Sequence, residues 1–334
     1  MAEHDDKDIA RVLKAAGGRV SPSDEMQQAV YLAVQAEWRT TVQKQQRRRN
    51  QRVWLAVAAS VAVAAVALFV SRSVIVPPEE IVANVSRSVG DVQTLQGDSE
   101  SWQYVADSDA TPLHAGERIH TGPTGRIAIA MRDGVSVRLD RDTSVAFVDA
   151  DHLEVKAGAV YIDSGASTPN AGRLQVSTPA GVVRHVGTQY EARVVNDRNT
   201  RIRVREGRVD VTPVKGAALT LQVGEQILVS ASGIESRGSI EPSSDEWDWA
   251  SNAAPEFDID GRPVHDFLAW AGRETGLKVV FATPESAAEA RRAVLSGSVA
   301  GLNPDEALAA VLPTTSLRST ERNGQLVIEM ASAP

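Results

Sequence analysis

The residues best placed to do chemistry are Gly187 and Thr188, within Val-Val-Arg-His-Val-Gly-Thr-Gln-Tyr-Glu-Ala-Arg-Val over positions 182–194. A threonine hydroxyl can attack the preceding carbonyl when the peptide is strained, and glycine reaches backbone angles closed to other residues. The acyl shift that follows turns an amide into an ester, which water can cleave. The same dipeptide also fits a glycine bulge ahead of a β-branched strand residue, and on the residues alone the bulge is the stronger reading. Other chemistry is poorly supported. The six histidines, His4, His114, His120, His152, His185 and His265, are scattered, and none sits in an HExxH arrangement. His114 and His120 could meet across a strand pair. Cysteine is absent, which removes thiolate ligands and nucleophiles and suits an oxidising compartment. No GxSxG elbow, Walker loop or GxGxxG occurs, and Asp163-Ser164-Gly165-Ala166-Ser167 reads as a turn without a nearby base. The expectation is a protein that is not an enzyme, without cofactor or metal, apart from the possible cleavage at Gly187-Thr188.

Most of the elements that must position this dipeptide are short strands. From residue 82 to about 240 the sequence alternates apolar and polar residues with period two. Asp133-Gly134, Ala180-Gly181, Glu206-Gly207 and Val223-Gly224 divide the runs. This pattern predicts an all-β domain, a sandwich or roll, rather than a parallel α/β sheet. Residues 241–255 read as a linker in which one of Trp247 and Trp249 docks on a domain surface. Residues 256–334 predict a small α+β module of two β-α-β units. Its strands are placed at Phe257–Ile259, Leu277–Phe281, Val294–Val299, Leu317–Thr320 and Leu326–Glu329. Val264, Phe267, Leu268 and Ala271 share one helical face that Gly276 stops. Asn303-Pro304-Asp305-Glu306 opens a second helix with a capping box.

The first 80 residues have another character. Residues 53–70 form an eighteen-residue run without a charge, close to the length needed to cross about 30 Å of hydrocarbon. Arg47, Arg48, Arg49 and Arg52 crowd its N-terminal side. Cations stay on the cytoplasmic side, so the expected topology has residues 1–52 inside, one transmembrane helix over 53–73 and the bulk outside. Residues 1–52 hold ten Lys/Arg against seven Asp/Glu, and the rest of the chain 25 against 36. An acidic outer part argues against direct binding of nucleic acid, which needs clustered cations. In the inner segment Met26, Val30, Val34 and Trp38 recur every four residues behind the candidate caps Ser21 and Ser23. This apolar stripe fits a partner's helix, or equally a stalk that continues toward the membrane.

Several short motifs fall in a fixed order between Ala115 and Val229. They are Gly-Glu-Arg-Ile-His-Thr at 116–121, Arg-Asp-Gly-Val-Ser-Val-Arg-Leu-Asp at 132–140, and Leu153 with Gly-Ala-Val-Tyr-Ile-Asp at 158–163. Val-Ser-Thr-Pro-Ala-Gly at 176–181, Val-Gly-Thr-Gln-Tyr at 186–190, Val-Arg-Glu-Gly-Arg-Val at 204–209 and Gly224-Glu225 follow. In this order and spacing the stretch resembles the FecR family of sigma-factor regulators, and residues 256–330 are similar to the secretin/TonB short N-terminal module. The resemblance implies a bacterial inner-membrane, single-pass regulator with a cytoplasmic N-terminus and a periplasmic bulk. Its partners would be an extracytoplasmic-function sigma factor inside, on the Met26–Val30–Val34–Trp38 face, and the signalling domain of a TonB-dependent transducer of iron uptake outside. Some relatives cleave themselves at a Gly-Thr matching Gly187-Thr188. Family members usually carry a longer inner region with several tryptophans, whereas this one has 52 residues and Trp38 alone. The alternative is a membrane-tethered periplasmic scaffold with no sigma partner. The expected fold class is therefore multi-domain: helical segment 1–52, membrane helix 53–73, all-β FecR-like domain 82–240, linker 241–255 and α+β module 256–334.

Overall fold

The computed structural model describes residues 80–331 apart from 98, 106–110 and 166–172, together with 11–12, 14–15, 23–26 and 28–32. The chain divides into two units, Met1–Pro77 and Pro78–Pro334. In the first, the described residues 11–12, 14–15, 24–26 and 28–32 are helical and exposed. The Met26 amide donates to Ser23 Oγ at 3.4 Å, a loose N-cap contact.

The second unit is mostly strand. Its large sheet is built from β1 (Ile81–Val89), β2 (Val92–Leu95), β3 (Gln103–Tyr104), β4 (Pro112–His114), β5 (Arg118–Thr121), β6 (Arg126–Met131), β7 (Ser136–Leu139) and β8 (Ser144–Asp149). It continues with β9 (His152–Asp163), β10 (Gln175–Thr178), β11 (Gly181–Asn196), β12 (Asn199–Pro213), β13 (Leu219–Gln222), β14 (Glu225–Ser230) and β15 (Gly233–Ser239). The main path runs β15-β14-β12-β11-β10-β9-β7-β6-β1-β4, nearly all antiparallel, as short hairpin connections require. β9 is the hub: its first half pairs with β8 and β10, its second half with β7 and β11. One face of this sheet carries the core, with Ile119, Ile129, Val137, Phe147, Leu153, Ile162 and Val204 all fully buried. Alternation of apolar residues along each strand puts them there.

The C-terminal part begins with α1 (Asp248–Asn252) and α2 (Val264–Thr275), then β16 (Lys278–Phe281), α3 (Pro284–Arg292), α4 (Pro304–Val311), β17 (Leu317–Arg322) and β18 (Gln325–Met330). Val264, Phe267, Leu268 and Ala271 line the buried stripe of α2, and Gly276 closes it with φ +72°. The Asn303–Glu306 capping box on α4 forms at 2.9 and 3.0 Å, with Pro304 at its first turn. β16, β18 and β17 make a three-stranded sheet, with β16 parallel to β18 and β17 antiparallel across the turn at Asn323-Gly324.

The expected fold class needs correction. The described structure is predominantly strand, and among the described residues no helix is long and apolar enough to cross a membrane. The longest described helix in the second unit, α2, has twelve residues and one apolar stripe, against about 20 largely apolar residues needed for a span. The architecture of a helical inner segment joined by one membrane helix to outer domains is thus not the one described. The run 53–73, and with it Arg47, Arg48, Arg49 and Arg52, lies outside the described residues. The two β-α-β units are also corrected. Phe257–Ile259 runs without pairing, because Phe257 stacks on Trp270 at 5.3 Å and Ile259 turns into the module core. Val294 stays 64% exposed and makes only an isolated bridge with Pro263. Around Val294 the strand-like backbone bonds run only from Ala293 and Leu295 to residues 261–264, too short a ladder for a strand, while Leu295 and Val299 enter the module core.

Candidate functional site

The opposite face of the large sheet carries polar residues at the alternate positions, and much of it is buried. Register aligns Arg138 on β7, Tyr161 on β9, Glu191 on β11, Arg203 on β12 and Gln226 on β14 in one cross-strand row. Arg138, Tyr161, Glu191 and Arg203 are 1%, 0%, 0% and 4% exposed. The segment from Ile240 to Ala254 and the C-terminal end of α2 cover this row. A charge leaves water only if it is paired and hydrogen-bonded, and the pairing here is extensive.

Arg138 clasps Glu274 of α2 in a bidentate pair at 2.6 and 2.8 Å and donates a further bond to the Ala250 carbonyl at 2.9 Å. Burial pulls down the affinity of its guanidinium for the proton, and the Glu274 carboxylate more than restores it, leaving Arg138 firmly charged. Asp163 receives Arg273 of α2 and also the Gln189 amide at 3.0 Å. Burial would raise the Asp163 carboxyl, but Arg273 outweighs it and holds the group below the usual carboxylate range. Arg273 reaches Glu206 on β12 as well, at 2.7 Å. Glu191 accepts from Arg193 and Arg201, each at 3.1 Å, and from the Trp249 indole at 2.9 Å.

Two tryptophans seat the covering segment. Trp247 is fully buried, edge-on to Tyr161 at 6.0 Å, with Arg205 over its face at 5.4 Å. Trp249 is also edge-on to Tyr161, at 6.3 Å, with Arg193 over its own ring at 5.4 Å. Burial pushes the Tyr161 phenol up to about 12, so it remains protonated. A cleft of about 580 Å³ opens at this seam, lined by Gln189, Arg205, Glu206, Arg273, Gly276 and Lys278 among others.

Gly187 and Thr188 lie at the end of the seam. Pairing of β11 with β12 jumps from Val186↔Arg208 to Gln189↔Glu206, so the dipeptide forms a bulge opposite Gly207. Gly187 has φ +60° and is exposed, while Thr188 is fully buried and its Oγ1 has no hydrogen-bond partner. The Thr188 amide donates to Ser164 Oγ at 2.7 Å, and the Ser164 amide and hydroxyl both donate to the Thr188 carbonyl at 3.1 Å. Gly207 has φ +74°, and a Cβ there would collide with the Gly187 carbonyl oxygen and lie 2.8 Å from Thr188 Cγ2. His185, on the same strand, is fully buried against Tyr190 with both ring nitrogens unpartnered, and burial lowers it to about 4.

The remaining candidates are dispersed. Met26 and Val30 are helical and 60% and 58% exposed, whereas Val34 and Trp38 lie outside the described residues. His114 on β4 and His120 on β5 do not share a strand pair: β4 pairs with β1, and β5 with β2 and β8. The seam charges, buried Arg138, Asp163, Glu191, Arg205 and Glu274 with half-buried Arg273, escape a reading by motif. Their one signal is the repeat Arg201-Ile-Arg203-Val-Arg205 together with tryptophans in an apparent linker.

Residues 117–210 match the family model described as FecR protein. No curated protein matches the chain. Two crystal structures of a protein from Parabacteroides distasonis ATCC 8503, provisionally described as an anti-sigma factor, at 1.65 and 2.50 Å resolution, are similar at 17% and 18% identity. Each similarity covers 64% of this chain and 99% of the other, with TM-scores of 0.34, too loose to assign a fold or a partner.

Proposed function

We propose that this protein, built around a FecR domain, is a signal-transducing regulator of an extracytoplasmic-function sigma factor. The observation that carries the reading is the FecR match over residues 117–210, which includes the β7, β9, β11 and β12 positions forming the seam. The sigma factor binds the stripe Met26, Val30, Val34 and Trp38, of which Met26 and Val30 are exposed. The signalling domain of a TonB-dependent transducer is received by residues 256–334, in the periplasm, and no nucleic acid is bound directly. The chain acts by binding rather than turnover, with one internal event: self-cleavage between Gly187 and Thr188. What supports that event is the left-handed, exposed Gly187 beside a buried, unpartnered Thr188 hydroxyl.

The test is capture on tagged full-length chain in a Gram-negative host. A sigma factor should co-purify with the native chain and be lost from Val34→Asp/Trp38→Asp. Capture of no sigma factor by a stable chain overturns the regulator reading in favour of a periplasmic scaffold. Protease added to spheroplasts should degrade residues 80–331; their full protection would sink the periplasmic assignment. For cleavage, purified protein beside Thr188→Ala on a denaturing gel should show two fragments against one band, and an intact native band removes self-cleavage.

A further inference from the structure

We propose that Ser164 is a catalytic residue of the acyl shift at Gly187-Thr188, supplying the proton that the leaving nitrogen needs, and that Gly207 leaves the space the scissile carbonyl occupies; this rests on the self-cleavage reading above. Three observations converge on the bulge. Thr188 Oγ1 is a buried nucleophile engaged by nothing. Ser164 Oγ lies 2.7 Å from the Thr188 nitrogen, the atom that must leave. The Gly187 carbonyl sits against Gly207, where any side chain would strike it.

The chemistry assigns each group a part. Thr188 Oγ1 attacks the Gly187 carbonyl carbon, a C–O bond forms and the carbonyl oxygen takes the negative charge. Thr188 Oγ1, itself buried, passes its proton by way of the Gly187 carbonyl oxygen to the solvent that reaches the exposed Gly187. As the nitrogen becomes tetrahedral it gains a lone pair, and the Ser164 hydroxyl can rotate from the Thr188 carbonyl to protonate it. The charge then collapses, the C–N bond breaks and Ser164 recovers a proton from solvent. The products of this shift are an ester and a free amine, with no atom gained or lost. Water then hydrolyses the ester to the Gly187 carboxyl and the original Thr188 hydroxyl.

Asp163, next to Ser164, is held by Arg273, and Gln189, next to Thr188, donates to the same carboxylate. The docked helix α2 therefore fixes both sides of the Ser164–Thr188 contact. Pairing of β9 with β11 ends at Asp163↔Gln189, so beyond it Ser164 and Thr188 are joined by their own three hydrogen bonds, and the seam steadies the two residues that precede and follow them.

The experiment follows fragment formation over time in purified full-length chain, with the new N-terminus at Thr188 confirmed by mass spectrometry. Ser164→Ala should slow cleavage at least tenfold while melting with the native protein, and Ser164→Thr, which keeps the hydroxyl, should recover most of the rate. Gly207→Ala should slow cleavage comparably, and Thr188→Ala should abolish it. If native chain cleaves and Ser164→Ala cleaves equally fast, the role of Ser164 is overturned while self-cleavage stands. If Ser164→Ala fails to fold, Ser164→Thr decides: a folded variant that no longer cleaves overturns the proposal. If native chain never cleaves, the underlying reading itself fails.

Discussion

The guanidinium of Arg138 and the carboxylate of Glu274, 136 positions apart, meet in a bidentate pair at 2.6 and 2.8 Å with both residues almost wholly buried. This pair ties the sheet to helix α2 of the C-terminal part. Removing one partner leaves a charge stranded away from water, which costs about 3–5 kcal/mol. We expect Glu274→Leu to lower the urea midpoint accordingly. Arg138→Met/Glu274→Leu should recover most of the loss, because the stranded charge is gone. A single variant within about 1 kcal/mol of native would show that the pair is not sealed from solvent.

Trp247 anchors the covering segment to Tyr161 and Arg205. Trp247→Ala removes a fully buried indole and should cost about 3–5 kcal/mol. Hydrogen exchange should then speed up first across residues 240–254 and along the face carrying Tyr161 and Glu191. Uniform acceleration over the whole sheet would argue against a locally docked segment.

Gly276 ends α2 with φ +72° and approaches the Pro242 carbonyl so closely that a Cβ would collide with it. Gly276→Ala faces both the left-handed backbone and the clash, and should destabilise by about 1–3 kcal/mol. Gly261→Ala serves as the control, since its φ is also positive at +71° but its surroundings are open. Equal losses from both would assign the effect to backbone angle alone.

His185 makes stability depend on pH. Its folded value of about 4 lies below the ordinary 6.5, so between these values the unfolded chain binds more protons. Stability should therefore fall as pH drops from 6.5 towards 4, by up to about 3 kcal/mol from this group. Denaturation of native chain and His185→Leu across that range isolates the contribution, because the carboxylates are common to both. Parallel curves would mean that the imidazole is hydrated in the fold.

Much of the organisation was legible in the sequence because it rests on local rules. Period-two alternation marked the strands, Val264, Phe267, Leu268 and Ala271 marked the stripe of α2, and Asn303 to Glu306 marked the start of α4. Where an apolar run found no neighbouring strand of any length to pair with, local pattern misled. Phe257 looks like strand and stacks on Trp270, and Val294 looks like strand and stays largely exposed. Nothing local shows that a later segment will cover polar alternate positions such as Arg138, Glu191 and Arg203.

By itself the sequence determined the run of short strands over 82–240, the helices α2 and α4 with their caps and stops, the lack of cysteine, and Gly187-Thr188 as the dipeptide with reactive potential, but not the helix α3. Each follows from backbone sterics or hydrophobic periodicity acting over a few residues. Only the tertiary structure decided that the polar face of the sheet would be buried, that Arg138 would find Glu274 and Arg273 find Asp163, and that Ser164 would sit 2.7 Å from the Thr188 nitrogen. These contacts join residues 24 to 136 positions apart. A buried charge takes whichever partner the packed layers bring within reach, and local sequence cannot encode that distance.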